Sequence, residues 1–170
     1  FIVAKIFNAK GQSSRSAILK AMQWITDPDG NPSTADFPRV ISNSWGKRYE
    51  GFEKEMQYRR ATQVWRDLGI APVFAAGNSG PSKHTVSSPG ALDSTLAVAA
   101  VDDTDVAASF SSRGPVRWEN GVLLEKPDVA APGVKVYSAS HKGGYVAFSG
   151  TSMACPHVAG VVAWMLQANP

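Results

Sequence analysis

Charge is scarce in this sequence, cysteine nearly absent, and long apolar runs missing. Only 18 % of the 170 residues are Asp, Glu, Lys or Arg, and 44 % are hydrophobic, a balance that argues against disorder. Lys and Arg number 17 against 14 Asp and Glu, a formal charge of +3. No dense basic run or aromatic-interleaved basic stripe accompanies that excess, so nucleic-acid binding has no positive support. No apolar stretch approaches the length of a membrane span, and a membrane partner is not expected. Cys155 stands alone, which rules out an intrachain disulfide and leaves the redox compartment open. Phe1-Ile2-Val3-Ala4-Lys5-Ile6-Phe7 does not have the pattern of a signal peptide or of a natural beginning, and it reads as a core strand cut from upstream context. No internal repeat is found.

What is present suffices for one core and one domain over residues 1–170. Strands and helices alternate. Residues 1–7 read as a strand, and Ser13 or Ser14 caps a helix with Ala17, Ile18, Ala21, Met22 and Ile25 on its apolar face. Asp27-Pro28-Asp29-Gly30-Asn31-Pro32 ends it. Residues 39–44 form the next strand. A helix marked by Phe52, Met56, Ala61, Val64 and Trp65 then stops at Gly69. Residues 71–76 and 96–101 are further strands, followed by short extended pieces around 109–111, 134–138 and 145–148. This order predicts a mostly parallel sheet covered by helices, with its site at the carboxyl ends of the strands.

The chain is organised around Phe148-Ser149-Gly150-Thr151-Ser152-Met153-Ala154-Cys155-Pro156-His157-Val158-Ala159-Gly160. It reads as a tight turn entering a helix whose first turn carries a serine. Unpaired N–H groups and the dipole at such an end stabilise an anion forming beside the hydroxyl. Pro156 is taken to lie in the first turn, where a missing N–H costs little. From Ala159 onward the helix is apolar almost all round, the pattern of a buried helix. Ser44-Trp45-Gly46, Gly77-Asn78-Ser79-Gly80 and Gly150-Thr151-Ser152 all fall at strand ends and share one rim. The Ser152 N–H and the Asn78 side chain are the two donors of an oxyanion hole. Read alone, a serine at a helix start is a cap and an asparagine between glycines a turn residue. Occurring together, they point to nucleophile and oxyanion donor instead.

Together these segments resemble the subtilisin-like serine endopeptidases, the subtilases. Gly150-Thr151-Ser152-Met153-Ala154 followed by Pro156-His157-Val158-Ala159-Gly160 is similar to that family's nucleophile segment, and Ala75-Ala76-Gly77-Asn78 to its oxyanion-asparagine motif. Lys126–Gly133 and Ser109–Pro115 also match, in the family's order. The resemblance implies an α/β fold, a three-layer α/β/α sandwich with a mostly parallel sheet, incomplete here at both ends. It implies peptide-bond hydrolysis through an acyl-enzyme on Ser152, with Asn78 holding the oxyanion. Gln12 and Ser13 on one side and Ser44, Trp45 and Gly46 on the other then flank an extended peptide. Ala75, Ala76 and Gly77 form one pocket wall, Ser87 lies near its floor, and Thr151 supports the turn.

The family's aspartate and histidine segments are not in this sequence, which corresponds to a middle portion of the catalytic domain. A companion segment carrying both residues, or self-association, is expected, and the chain alone is expected to be inactive. His157 is turned away from the hydroxyl, His84 faces substrate or solvent, and His141 sits in a polar turn, so none serves as the base. No cofactor is expected. Ca²⁺ is a weak possibility at Asp102, Asp103 and Asp105, with no metal residue assigned. The resemblance suggests secretion. Two other readings compete: a non-catalytic peptide-binding remnant, disfavoured by retention of both Ser152 and Asn78, and an α/β-hydrolase, disfavoured by Ala154 where a nucleophile elbow needs glycine.

Overall fold

Pro72-Val73-Phe74-Ala75 is apolar on both faces because both are covered. The computed structural model describes residues 1–34 and 36–169; Ala35, Pro170 and the side chain of Asn120 lie outside the description. Strands β1 (Val40–Asn43), β2 (Ala71–Ala75), β3 (Leu96–Val101) and β6 (Val129–Pro132) form one sheet in the order β1-β2-β3-β6. Every pairing is parallel, with Ser42 opposite Val73, Ala75 opposite Val98, and Val98 opposite Val129. Alternate residues of β2 enter different cores, as the two-residue period of a strand requires. Phe74 joins Ile18, Met22, Tyr58 and Trp65 from helices α1 (Arg15–Trp24) and α2 (Phe52–Asp67). Val73 and Ala75 join Val98, Ala100, Ala154 and Cys155 beneath helix α3 (Thr151–Ala168). The fold is α/β, with the sheet between two helical layers.

Local chemistry explains the boundaries. Ser14 caps α1 through its Oγ, which accepts the Ala17 N–H at 3.1 Å. Gly69, with φ +74°, stops α2 in a backbone region that side chains disfavour. Two small antiparallel units complete the described residues: β4 (Val116–Arg117) with β5 (Leu123–Leu124), and β7 (Val136–Ala139) with β8 (Tyr145–Phe148).

Several expectations need correction. Residues 1–7 join no sheet; Phe1, Ile2, Val3 and Phe7 are exposed, and Ile6 alone of them packs on a core. Residues 109–111 form a turn, not an extended piece. The buried face of α2 is Glu55, Tyr58, Thr62 and Trp65, so Val64 faces outward. Helix α3 is buried only near its start, at Thr151, Ala154 and Cys155; Val161, Trp164 and Met165 are exposed. Pro156 lies beyond the first turn of that helix, where an N–H would ordinarily donate to the carbonyl four residues back.

Candidate active site

The carbonyl that Pro156 deprives is that of Ser152, and Ser44 takes it. Ser44 Oγ donates to the Ser152 main-chain oxygen at 2.8 Å, and Ser152 Oγ donates to the Ser44 main-chain oxygen at 3.3 Å. This reciprocal pair ties the exit of β1 to the first turn of α3. The nucleophile candidate is half-buried and held at the carboxyl rim of the sheet.

Asn78 approaches the same turn from β2. Its Oδ1 accepts the Thr151 N–H at 2.9 Å and the Thr151 hydroxyl at 3.0 Å. A main-chain N–H can only donate, so the amide orientation is settled: the oxygen faces Thr151 and the NH₂ group is free to donate elsewhere. Thr151 Oγ1 also accepts the Gly77 N–H at 3.1 Å, so one buried side chain fixes both turns. A Cβ placed on Gly150 would stand 3.3 Å from Asn78 Nδ2 and 3.7 Å from the Ser152 nitrogen. Both donors therefore lie within 4 Å of one point. Behind them, Ser112 Oγ accepts the Ser79 N–H at 3.1 Å and the Ser112 N–H donates to Gly77 oxygen at 2.9 Å.

A second group of expected residues converges on Ser87. The Ser87 N–H donates to Ala76 oxygen at 2.8 Å, and Lys47 and Ser88 exchange main-chain bonds of 2.9 and 2.8 Å. Side chains at two glycines would obstruct this approach. A Cβ on Gly46 would meet Ser88 oxygen at 3.0 Å, and one on Gly77, where φ is +105°, would collide with Ser87 Oγ. Ala75 and Ala76 are buried behind Gly77. Trp45 turns its ring into the core, edge-on to Phe74 and Tyr58 at 5.5 and 5.9 Å between centroids. Gln12 and Ser13 stand apart, in the exposed turn before α1; Gln12 is bonded to Asn8.

Sequence reasoning missed the support beneath the Ser87 loop. Glu55 is fully buried, accepting the Ser88 hydroxyl at 2.6 Å and the Lys47 ammonium at 2.5 Å. Burial alone lowers the Lys47 pKa, but hydrogen bonding and charge from Glu55 outweigh it and leave the ammonium above its ordinary value. The signal was a carboxylate within an otherwise buried helical stripe.

The remaining candidates are accounted for locally. His157 Nδ1 bonds Met153 oxygen at 2.8 Å and His84 Nδ1 bonds Pro115 oxygen at 2.6 Å. The Asp102 carboxylate, held below its usual range by the Thr104 hydroxyl, accepts bonds from Thr104 and Val106 in its own turn. Among the described residues, the carboxylates that converge are instead Asp27, Asp29 and Asp36, within 4.8 Å of one another in the loop after α1. Cys155 is buried, and burial pushes its thiol pKa up. No helix among the described residues is long and apolar enough to cross a membrane.

Comparison with known proteins agrees with this geometry. A model of the subtilase family matches residues 1–170. Serine protease AprX of Bacillus subtilis (strain 168) is 35 % identical over 99 % of this chain and 42 % of its own length. Subtilisin DY of Bacillus licheniformis is 36 % identical over 98 % of this chain and 53 % of its own. The structure of sphericase superposes with a TM-score of 0.78 at 31 % identity, over 97 % of this chain and 53 % of that one. The chain thus spans about half the length of these relatives. With its family model matched from end to end, the chain belongs to the subtilase family.

Proposed function

We propose that this chain carries the nucleophile and oxyanion-binding half of a serine endopeptidase. The observation that carries the reading is the Asn78–Thr151–Ser152 junction. Thr151 holds the Asn78 oxygen, so the amide NH₂ and the Ser152 N–H are left to converge beside the Ser152 hydroxyl. Ser152 Oγ attacks the scissile carbonyl carbon, and its proton passes to a histidine supplied from outside residues 1–170 and oriented by an aspartate from the same segment. The developing oxyanion is held by the two donors. The protonated histidine delivers its proton to the departing amine, and water then cleaves the acyl-enzyme. No cofactor or metal takes part.

Substrate is an extended peptide that adds to the Ser44–Gly46 edge, with its principal side chain between that edge and Ala75–Gly77, above Ser87. A companion segment supplies the histidine and aspartate. Alone, the chain is inactive: removing the base costs about 10⁶ in turnover in subtilisin itself. A secreted setting is proposed from the family resemblance alone.

The test is a fluorophosphonate probe applied to residues 1–170 and to the gene's catalytic domain extended on the N-terminal side to its relatives' length. Labelling of the extended domain only, lost in Ser152→Ala, is the expected result. No labelling of the extended domain overturns the reading.

A further inference from the structure

Among the described residues, one buried side-chain oxygen or nitrogen lacks a hydrogen-bond partner: Oδ1 of the partly buried Asp27, in the loop between α1 and β1. Buried acceptors are paired almost without exception, so an orphaned one marks a place where another group belongs. The loop cannot supply the missing donor. Pro28 and Pro32 have no N–H, and the other main-chain N–H groups from 29 to 34 are all engaged. Asp29 donates to Asp36 Oδ2 at 3.1 Å and Gly30 to the Asp27 main-chain oxygen at 3.3 Å. Asn31 donates to Asp29 Oδ1 at 2.8 Å, Ser33 to Asn31 Oδ1 at 3.2 Å and Thr34 to the Asn31 main-chain oxygen at 3.0 Å. No Lys or Arg offers a charge instead, since the ion pairs among the described residues include none of these aspartates.

Two further carboxylates gather at the same place. One oxygen from each of Asp27, Asp29 and Asp36 lies within 4.8 Å of the other two. Two oxygens bound to one Ca²⁺ at about 2.4 Å stand no more than about 4.8 Å apart, so the three are close enough to share an ion. With nothing between them, carboxylates this near repel one another. Their freedom to part is limited, because Ile25 before the loop and Phe37 after it both pack on the core beneath α1. The donor set also selects the ion. Oxygen ligands alone suit a hard cation, and Mg²⁺ is held through one or two carboxylates and keeps most of its water. Three convergent carboxylates fit Ca²⁺.

We propose that Asp27, Asp29 and Asp36 bind one Ca²⁺, which closes the α1–β1 loop, with water completing its coordination. The unpaired Asp27 carboxylate then has its partner, and the repulsion among the three becomes attraction to a common charge. The ion is structural: it fixes the segment that feeds β1. No step of peptide hydrolysis passes through it, so its failure would leave the protease reading untouched, and the reverse holds as well.

Terbium luminescence identifies the site by location. Trp24 is partly exposed, and its carbonyl accepts the Asp27 N–H at 3.1 Å, which sets its indole at the start of the loop as the sensitiser for a lanthanide bound there. In the N-terminally extended domain stripped with EDTA, added Tb³⁺ gains emission on tryptophan excitation, and Ca²⁺ at about 1 mM or below displaces it. Trp24→Phe removes at least half of that emission and leaves the calorimetric Ca²⁺ stoichiometry unchanged. Asp27→Asn and Asp36→Asn each bind one Ca²⁺ fewer, or bind it at least tenfold more weakly. Thermal unfolding supplies a sign. In EDTA, Asp27→Asn melts no lower than the parent, because it relieves repulsion; in Ca²⁺ the parent gains more in Tm than the variant does. Full emission in Trp24→Phe overturns the proposal, and that readout stands even where an aspartate variant fails to fold. Unchanged Ca²⁺ binding in both aspartate variants overturns it too. So does an Asp27→Asn variant destabilised equally in EDTA and in Ca²⁺, which would make the carboxylate a structural group that needs no ion.

Discussion

Ser44 Oγ stands 2.8 Å from the Ser152 carbonyl oxygen and replaces the helical donor that Pro156 lacks. A residue at the end of a strand thereby completes the first turns of a helix more than a hundred positions later.

The bond has a measurable partner effect. Ser44→Ala leaves the Ser152 carbonyl without this donor and destabilises the domain by about 1 kcal/mol. Pro156→Ala restores an N–H to the helix, so Ser44→Ala costs less in that background. Urea unfolding of the four proteins in a double-mutant cycle reads the difference; equal costs in both backgrounds would refute the compensation.

Thr151 acts through Asn78. Thr151→Val removes a hydroxyl that donates to Asn78 Oδ1 and accepts from Gly77 N–H, while preserving shape. In the extended domain, kcat falls about tenfold with KM little changed. That is less than the roughly 10²–10³ measured in subtilisin itself for deleting an oxyanion donor outright. Asn78→Ala is expected to show that larger loss, and Thr151→Val combined with Asn78→Ala to be no worse than Asn78→Ala alone. Steady-state kinetics on a chromogenic peptide decides.

Glu55 stapling is testable through specificity. Glu55→Gln keeps the volume but weakens the hold on Lys47 and Ser88. The Ser87–Ser88 loop loosens, and KM for substrates with a large side chain in the pocket rises severalfold, with kcat nearly constant. An unchanged KM across a substrate series rejects this role.

The Arg59–Asp93 pair provides a pH signature. The Arg59 guanidinium, bonded at 2.9 and 2.7 Å, holds the Asp93 carboxyl below its usual range. A depressed carboxylate pKa gives stability that is complete above the unfolded value of about 3.9 and lost as pH falls through the folded one. Both side chains are about one-third exposed, so the contribution stays under about 1 kcal/mol. Asp93→Asn is therefore less stable than the parent at pH 7, and the two converge below about pH 4 in thermal unfolding.

Elements with a chemical punctuation mark were legible in the sequence. Ser14 at a cap, Gly69 at a stop and the Val/Ala run of β3 each act within a few residues of themselves. Gly77-Asn78 and Gly150-Thr151-Ser152 marked the candidate site for the same reason, because their turns depend on local residue types. Burial was harder to read, since it depends on what lies opposite. Residues 1–7 have the composition of a strand but no neighbour to pair with, and the apolar run of α3 extends past the sheet that covers its start. β6 escaped notice because Val-Ala-Ala-Pro is short and its ladder is supplied by β3. Glu55, Lys47 and Ser88 come together only through tertiary contact, and no spacing between them announces it.

The hydroxyl of Ser152 has a single proton, and Ser44 oxygen holds it. On the proposed reading, a base supplied from outside residues 1–170 competes with this main-chain oxygen for the proton, and a turn about the serine's own Cβ–Oγ bond is enough to redirect it.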